Sequence, residues 1–295
     1  MTALAALGLG LVIGAFLGAL GGGGAILTVP ALVYLLGQSA RDATTSSLII
    51  VGAAALTGMI GYARSGHVRW RLGVMFGIAG TAAAYLGTAL NRQVNQHYLL
   101  IAFAVVMGLA ATGMLLRARN RKPEPATASV GAARFAGPAE SSDAERTVAA
   151  RAASPVGEAP ARSREFGQGS RWTAGAKILV AGLGVGFMTG FFGVGGGFVI
   201  VPVLVLLFDL SMPVAAATSL LIIAINSAAS LVARAGTAHF HWAIIVPFTI
   251  AAMAASLAGK TIAGRLPDRL LTRIFAAMLI AIGLFVAVQN IAQIS

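Results

Sequence analysis

Residues 18–33 read GALGGGGAILTVPALV, and residues 190–205 read GFFGVGGGFVIVPVLV. Both stretches place a glycine run and then a proline inside a long apolar segment. As one α-helix, the apolar residues 4–37 would reach ~50 Å, whereas the hydrocarbon core of a bilayer is only about 30 Å thick. Glycine permits non-helical backbone, and proline suits the first turn of a new helix. The pattern therefore predicts two broken helices, each made of two half-helices joined by an unwound turn.

Apolar residues dominate the whole chain, which is typical of a protein that lies in lipid. Of the 295 residues, 58% are hydrophobic and only 10% are charged, far from the balance of soluble domains. Apolar segments recur between polar breaks, at residues 4–37, 44–63, 72–91, 98–116, 178–208, 214–233, 243–263 and 270–290. No basic residues precede the first segment, so we expect it to be retained and not cleaved as a signal peptide. The sequence predicts an all-α integral membrane protein.

The two quoted stretches belong to an internal repeat. A constant offset of 172 residues superimposes Gly14 on Gly186, Pro30 on Pro202 and Trp70 on Trp242. One register held over about a hundred residues indicates two homologous halves. We expect each half, residues 1–117 and 176–295, to have a broken first helix followed by three transmembrane helices. Residues 118–175 are rich in Ala, Pro, Ser, Arg and Glu, which predicts a flexible hydrophilic linker.

The basic loops indicate how the halves are oriented. If each broken segment enters and leaves on one side, each half crosses the membrane an odd number of times and the halves are inverted; parallel repeats are the alternative. Inverted halves should carry their basic loops at non-equivalent positions. They do, at Arg64, Arg69 and Arg71 in the first half and at Lys260, Arg265, Arg269 and Arg273 in the second. This favours inverted repeats, with the linker in the cytoplasm and Met1 outside.

The glycine runs are the first candidate binding site. In transporters built from repeats, broken helices meet near the midplane and their N-termini present unpaired N–H groups to anions. Because glycine has no Cβ, a substrate can approach the main chain closely. We predict substrate contacts at Gly21, Gly22, Gly23, Gly24, Gly193, Gly195, Gly196 and Gly197. Helix packing is the alternative, and it is favoured for the small-xxx-small glycines Gly10, Gly14, Gly18, Gly182, Gly186 and Gly190.

Hydroxyl side chains form the second candidate. Each broken segment is followed by a helix that opens with Thr and Ser, and these hydroxyls can cap the helix or donate to an anion. An amide and a serine further along the second copy extend this polar track, or they bond between helices. The predicted substrate-binding residues of this group are Thr45, Ser46, Ser47, Thr218, Ser219 and Asn226.

Several classes of function lack their residues. The nine acidic residues lie in the linker or at segment ends, where Asp42, Asp209 and Asp268 are those outside the linker, so no carboxylate lies mid-membrane to bind a cation. The chain has no cysteine, and no catalytic motif occurs within the spans. We therefore expect no enzyme, no cofactor and no metal site. The net charge of +12 is scattered over loops, so we expect a lipid bilayer and no nucleic acid as partner.

The motifs resemble those of the sulfite exporter TauE/SafE family of membrane permeases. The resemblance rests on GGGGAILTVP and GVGGGFVIVP, on ATTSSL and AATSLL, and on SGHVRW and TAHFHW, and it covers nearly the whole chain except the linker. The copies differ, since Gly22 and Ala25 stand where the second copy has Val194 and Gly197. The two halves are therefore expected to contribute unequally to a site.

The resemblance implies a multi-pass protein of the bacterial plasma membrane that transports small anions such as sulfite, sulfoacetate and related organosulfur compounds. We expect a secondary carrier that works by alternating access. A non-transporting membrane scaffold and an anion channel remain the alternatives. Substrate identity, direction, coupling ion and oligomeric state stay open, and a homodimer is one of the assemblies left open.

Overall fold

The computed structural model describes residues 2–91, 96–120, 171–192, 197–234 and 241–292. Within these ranges the chain is helical, with no strand. The helices are α1 Thr2–Leu20, α2 Gly23–Pro30 with a π-helical continuation Ala31–Leu35, α3 Ala40–Ala63, α4 Trp70–Asn91, α5 Gln96–Asn120, α6 Arg171–Phe192, α7 Gly197–Leu206, α8 Met212–Arg234, α9 Trp242–Ala263 and α10 Asp268–Ala292. The all-α fold class is therefore confirmed.

Five of the described helices are long and apolar enough to cross a membrane. They are Asp42–Ala63, Trp70–Leu90, Ala102–Arg119, Met212–Val232 and Trp242–Ala263. Shorter apolar helices cover Leu4–Leu20, Gly23–Leu35, Gly175–Phe191 and Gly197–Leu206, which are the predicted half-helices. The described residues of Met1–Asn120 and Gly175–Ser295 belong to one compact unit. The predicted linker lies almost entirely outside the described residues.

The first helix of the chain breaks at the glycine run, as predicted. Gly21 has a φ of 78°, a left-handed conformation that glycine adopts without steric cost. The N–H of Gly22 donates to the Leu20 carbonyl at 3.0 Å, and α2 begins at Gly23. A Cβ at Gly24 would lie 2.8 Å from the Leu17 Cβ, so α2 returns along α1 and the chain reverses here. In the second half the corresponding turn, residues 193–196, lies outside the described residues.

The predicted role of the prolines is wrong. We expected each proline to open the returning half-helix, but Pro30 is the last residue of α2 and Pro202 lies inside α7. The glycines already make the turn, so no proline is needed there. Pro30 lacks an N–H and removes one helical hydrogen bond. The chain widens directly after it into the π-helical turn Ala31–Leu35, which is one way a helix absorbs a missing bond.

The first helix of each half packs on the third helix of the other half. Helices α1 and α9 run parallel, and so do α6 and α4, with small residues at every fourth position of the contact. A Cβ on these glycines would meet the facing backbone in the pairs Gly10–Phe248, Gly14–Ala252, Gly18–Ser256, Gly182–Phe76, Gly186–Gly80 and Gly190–Ala84. The 172-residue offset converts each pair of the first interface into one of the second. The packing interpretation of these glycines is confirmed.

The second helices of the two halves, α3 and α8, pack on each other in opposite directions. A Cβ at Gly52 would lie 3.0 Å from the Ser227 Cβ, and one at Gly58 would lie 3.1 Å from a Leu220 methyl group. Later residues of α3 therefore contact earlier residues of α8, which makes the two helices antiparallel. Ser256 ties α9 to the same bundle, because its hydroxyl donates to the Ala54 carbonyl at 3.0 Å. Helices α3 and α8 therefore form the central pair of the helical unit.

Replacement of Gly18 by alanine tests the close packing of α1 on α9. The new methyl group would overlap the Ser256 carbonyl, whereas at Gly8, on the same helix, nothing lies within 4 Å. We expect Gly18→Ala to destabilise the protein by ~1–3 kcal/mol, the usual range for overpacking, and Gly8→Ala to leave it unchanged or slightly more stable. The measurement is the thermal unfolding midpoint in detergent. Equal midpoints for the two variants would contradict this packing.

Candidate functional site

The two broken helices meet at the starts of their second half-helices. A Cβ at Gly22 would overlap the carbonyl oxygen of Gly197 and lie 3.2 Å from the Phe198 nitrogen. In return, a Cβ at Gly197 would lie 3.1 Å from the Gly22 carbonyl oxygen and 3.3 Å from the Ala25 Cβ. The first turns of α2 and α7 are therefore in backbone contact, as the repeat predicted for the glycine runs.

This contact brings together two helix ends of the same sign. The N-terminus of a helix carries about half a positive charge on its unpaired N–H groups. At α2 the capping position is Gly22, which has no side chain to cap these groups. Two such ends repel each other unless a negative group lies between or beside them. Their apposition therefore favours the binding of an anion.

The described carboxylates are all engaged away from this contact. Asp42 accepts a hydrogen bond from the Ser39 hydroxyl at 2.7 Å at the start of α3. Asp209 forms an ion pair with Arg117, and Asp268 accepts from the Met212 N–H at 2.6 Å at the start of α8. Each lies at a helix end, so the partial positive charge of α2 and α7 is not neutralised by a carboxylate from the described ranges. Those ranges also contain no group of three or more His, Asp or Glu that could hold a metal ion.

Ser219 lies directly against the first glycine run. A Cβ at Gly21 would overlap the Ser219 hydroxyl and come within 2.6 Å of the Ala216 Cα. Ser219 is fully buried, and its hydroxyl donates to the Ala216 carbonyl at 2.8 Å. This is the local back-bond that serine makes on a helix, and it leaves the oxygen lone pairs beside Gly21. The structure thus joins Gly21, Gly22, Gly197 and Ser219 of the predicted set.

The other predicted hydroxyls differ in what they bind. The Ser47 hydroxyl donates to the Thr44 carbonyl at 2.8 Å, and Thr218 accepts the Arg69 N–H at 3.3 Å. Thr45 is buried. Ser46 is fully buried and its hydroxyl has no partner. An unsatisfied buried hydroxyl is costly, so Ser46 is the one of these groups whose donor is available to a ligand.

The remaining predicted residues have other contacts or lie outside the described ranges. Gly23 faces the end of the Met278 side chain, and Gly24 packs on α1. Asn226 accepts a hydrogen bond from the Thr81 hydroxyl at 2.9 Å, which is the interhelical bond given above as its alternative. Gly193, Gly195 and Gly196 lie outside the described residues.

Tyr62 is a polar contact of the broken helix that the sequence analysis missed. Its hydroxyl donates to the Gly18 carbonyl at 3.0 Å, one turn before the break. The sequence does mark this position, because the repeat offset pairs Tyr62 with Arg234 at the end of α8. Two different polar residues at equivalent helix ends mark a position where the halves diverge.

Alanine at Gly21 tests the contact between the broken helix and α8. Gly21 and Gly37 both have positive φ, at 78° and 67°, so alanine carries a similar backbone strain of ~1–2 kcal/mol at either position. Only Gly21 faces another helix, since nothing lies within 4 Å of a Cβ at Gly37. We expect Gly21→Ala to lower the thermal unfolding midpoint more than Gly37→Ala. Similar midpoints would show that Gly21 does not pack against Ser219.

Comparison with known proteins agrees with this architecture. The chain matches the sulfite exporter TauE/SafE family over residues 6–286. It is 28% identical to a probable membrane transporter protein of Xylella fastidiosa strain Temecula1, over 95% of this chain and 93% of that protein. It is 26% identical to the probable membrane transporter protein YunE of Bacillus subtilis, over 93% of each chain. No solved structure matches significantly. With its glycine-broken helices and several apolar helices of spanning length, the chain belongs to the sulfite exporter TauE/SafE family of membrane transporters.

Proposed function

We propose that this protein is a secondary carrier of small anions in the bacterial plasma membrane, with sulfur oxyanions or organosulfonates such as sulfite and sulfoacetate as substrates. The observation that carries the proposal is the contact of the two half-helix N-termini at Gly22 and Gly197. Positive helix ends, buried hydroxyls and the absence of a nearby carboxylate in the described ranges suit an anion and disfavour a cation.

The lengths of the half-helices support a binding site near the midplane. The stretch Gly23–Leu35 and the helix Gly197–Leu206 begin at their contact, and in an inverted repeat they run toward opposite surfaces, where at about 1.5 Å per residue they reach ~20 Å and ~15 Å. Together these lengths approximate the thickness of a hydrocarbon core. An anion at the contact would be about equally far from both surfaces, where a carrier that works by alternating access holds its substrate.

The packing of the halves supports an inverted repeat and a rocking motion. Equivalent helices α3 and α8 run in opposite directions, and each half lends its first helix to the third helix of the other. In this structure the first turns of α2 and α7 leave no room for a methyl group between them. Substrate binding therefore requires the two breaks to separate. For an anion leaving a cell with a negative interior, the potential contributes about 2.3 kcal/mol per charge per 100 mV, so export needs no coupled cation.

Counterflow tests the proposal against its alternatives. We expect the purified protein in liposomes loaded with unlabelled sulfite to accumulate labelled sulfite, because a carrier exchanges substrate across the membrane. An anion channel conducts without such trans-stimulation, and a scaffold gives no flux at all. Absence of counterflow with sulfite, thiosulfate and sulfoacetate would overturn the proposal.

Ser46→Ala identifies a binding hydroxyl within the same assay. Removal of this hydroxyl breaks no native hydrogen bond, because the Ser46 Oγ has no partner, so the fold should keep its thermal midpoint. We expect the KM for sulfite to rise about tenfold, the factor that ~1.4 kcal/mol represents. Thr57→Ser is the matched control, since Thr57 lies on the same helix and bonds only to its own backbone. An unchanged KM in Ser46→Ala would remove Ser46 from the site.

Single cysteines test the inverted topology, and the native chain has no cysteine to interfere. The loops at Gly66, after α3, and Gly264, after α9, hold non-equivalent positions in the two halves. Inverted halves bring them to the same membrane face, whereas parallel halves separate them. We expect Gly66→Cys and Gly264→Cys in whole cells to show the same labelling by an impermeant maleimide, with both protected until the membrane is opened. Labelling of one and protection of the other would support parallel repeats.

A further inference from the structure

A polar cluster around the Lys260 ammonium lies at one end of the helical unit, where the α3–α4 turn meets the end of α9. The Lys260 ammonium donates to the Ser65 hydroxyl at 2.9 Å and lies 5.8 Å from the centroid of the Tyr62 ring. The described carboxylates bond to other groups, Asp209 to Arg117, Asp42 to Ser39 and Asp268 to Met212, and no carboxylate partner of Lys260 occurs among the described residues. A half-buried ammonium with neutral neighbours has unused capacity to bind an anion.

His67 adds a second polar group to this cluster. Its ring centroid lies 6.3 Å from that of Tyr62, edge to face. Its Nδ1 atom is buried and has no hydrogen-bond partner. A buried imidazole nitrogen without a partner is costly, and a ligand that can accept or donate a hydrogen bond would satisfy it. The Lys260 ammonium, which has further N–H groups besides the one that donates to Ser65, and the unpartnered His67 Nδ1 thus lie around one aromatic ring.

Tyr62 connects the cluster to the broken helix. The side chain is only 3% exposed, and its hydroxyl donates to the Gly18 carbonyl at 3.0 Å. Gly18 lies one turn before the reversal at Gly21. The cluster is therefore one side chain away from the glycine break, on the side of the α3–α4 turn.

The repeat shows that helix packing alone does not require a cation at Lys260. The equivalents of Lys260 and Tyr62 in the other half are Thr88 and Arg234. Thr88 approaches the Gly190 carbonyl at 3.4 Å, much as Tyr62 approaches Gly18. Each of the two equivalent pairs thus has one hydroxyl residue and one basic residue in the sequence, but the helix that carries each type differs between the pairs.

We propose that Lys260, His67 and the Tyr62 ring form an anion-binding site at which the substrate is held before it reaches the glycine breaks. This inference rests on the carrier function proposed above. The Lys260 ammonium supplies the charge, His67 supplies a hydrogen bond, and Tyr62 separates this site from the backbone of the broken helix. The site acts on substrate that approaches from the side of the α3–α4 turn.

Sided transport kinetics test the inference. We expect Lys260→Gln to raise the KM for sulfite about tenfold, the factor that ~1.4 kcal/mol represents, when sulfite is offered on the face of the α3–α4 turn, with kcat unchanged. Right-side-out and everted vesicles give the two faces. With sulfite on the opposite face the KM should stay unchanged, which a general structural defect would not produce. Lys260→Arg should keep the native KM, because the charge is retained.

Arg265→Gln is the matched control, since Arg265 is an exposed cation just beyond the end of α9. The KM of this variant for sulfite should equal that of the native protein. His67→Gln is a second variant that tests the same site, and it replaces Lys260→Gln if that variant does not fold. We expect it to raise the KM for sulfite on the same face. If the native protein transports sulfite but the KM of both variants stays within twofold of the native value, this inference fails and the carrier proposal stands. If the native protein transports no anion, both fail together.

Discussion

The backbone contact between Gly22 and Gly197 is the constraint on which the rest of the structure depends. Two helix N-termini can approach this closely only if neither carries a side chain at the contact. The chain reversal at Gly21 exposes one of these ends, and the close packing of α1 on α9 and of α6 on α4 holds the broken helices in place. The result is a region of positive partial charge among apolar helices, with the described carboxylates held at helix ends.

The exchange of first helices between the halves is compatible with the movement that the proposed carrier function requires. Neither half has a complete bundle alone, because α1 packs on α9 and α6 packs on α4. Rigid small-residue interfaces therefore link α1 to the second half and α6 to the first. A rocking of these two groups would separate α2 from α7 without breaking either interface. The proposals above place an anion at Ser46, His67 and Lys260, which are among the polar groups with unused hydrogen-bonding capacity.

Much of the fold could be predicted from sequence, because apolar segment length and a constant repeat offset report directly on spans and on equivalent residues. The break at Gly21 followed from segment length, and the packing role of Gly14 and Gly18 followed from their spacing. The prediction for Pro30 was wrong, because the preference of proline for the first turn of a helix does not prevent it from standing at the end of one. The hydroxyl partners were not predictable, because serine on a helix can bond to its own backbone, as Ser219 does. The repeat offset identifies equivalent residues but does not say which helix each residue will contact. The hydrogen bond from Tyr62 to α1 therefore could not be predicted from the sequence.

The most direct test is the location of a bound anion in a crystal of the protein grown with selenite, a heavier analogue of sulfite whose selenium scatters anomalously. We expect an anomalous peak beside the first turns of α2 and α7, with Gly22 and Gly197 moved apart to admit the anion. Selenium bound only elsewhere, with Gly22 and Gly197 still in contact, would contradict the claim that the two helix breaks form the substrate site.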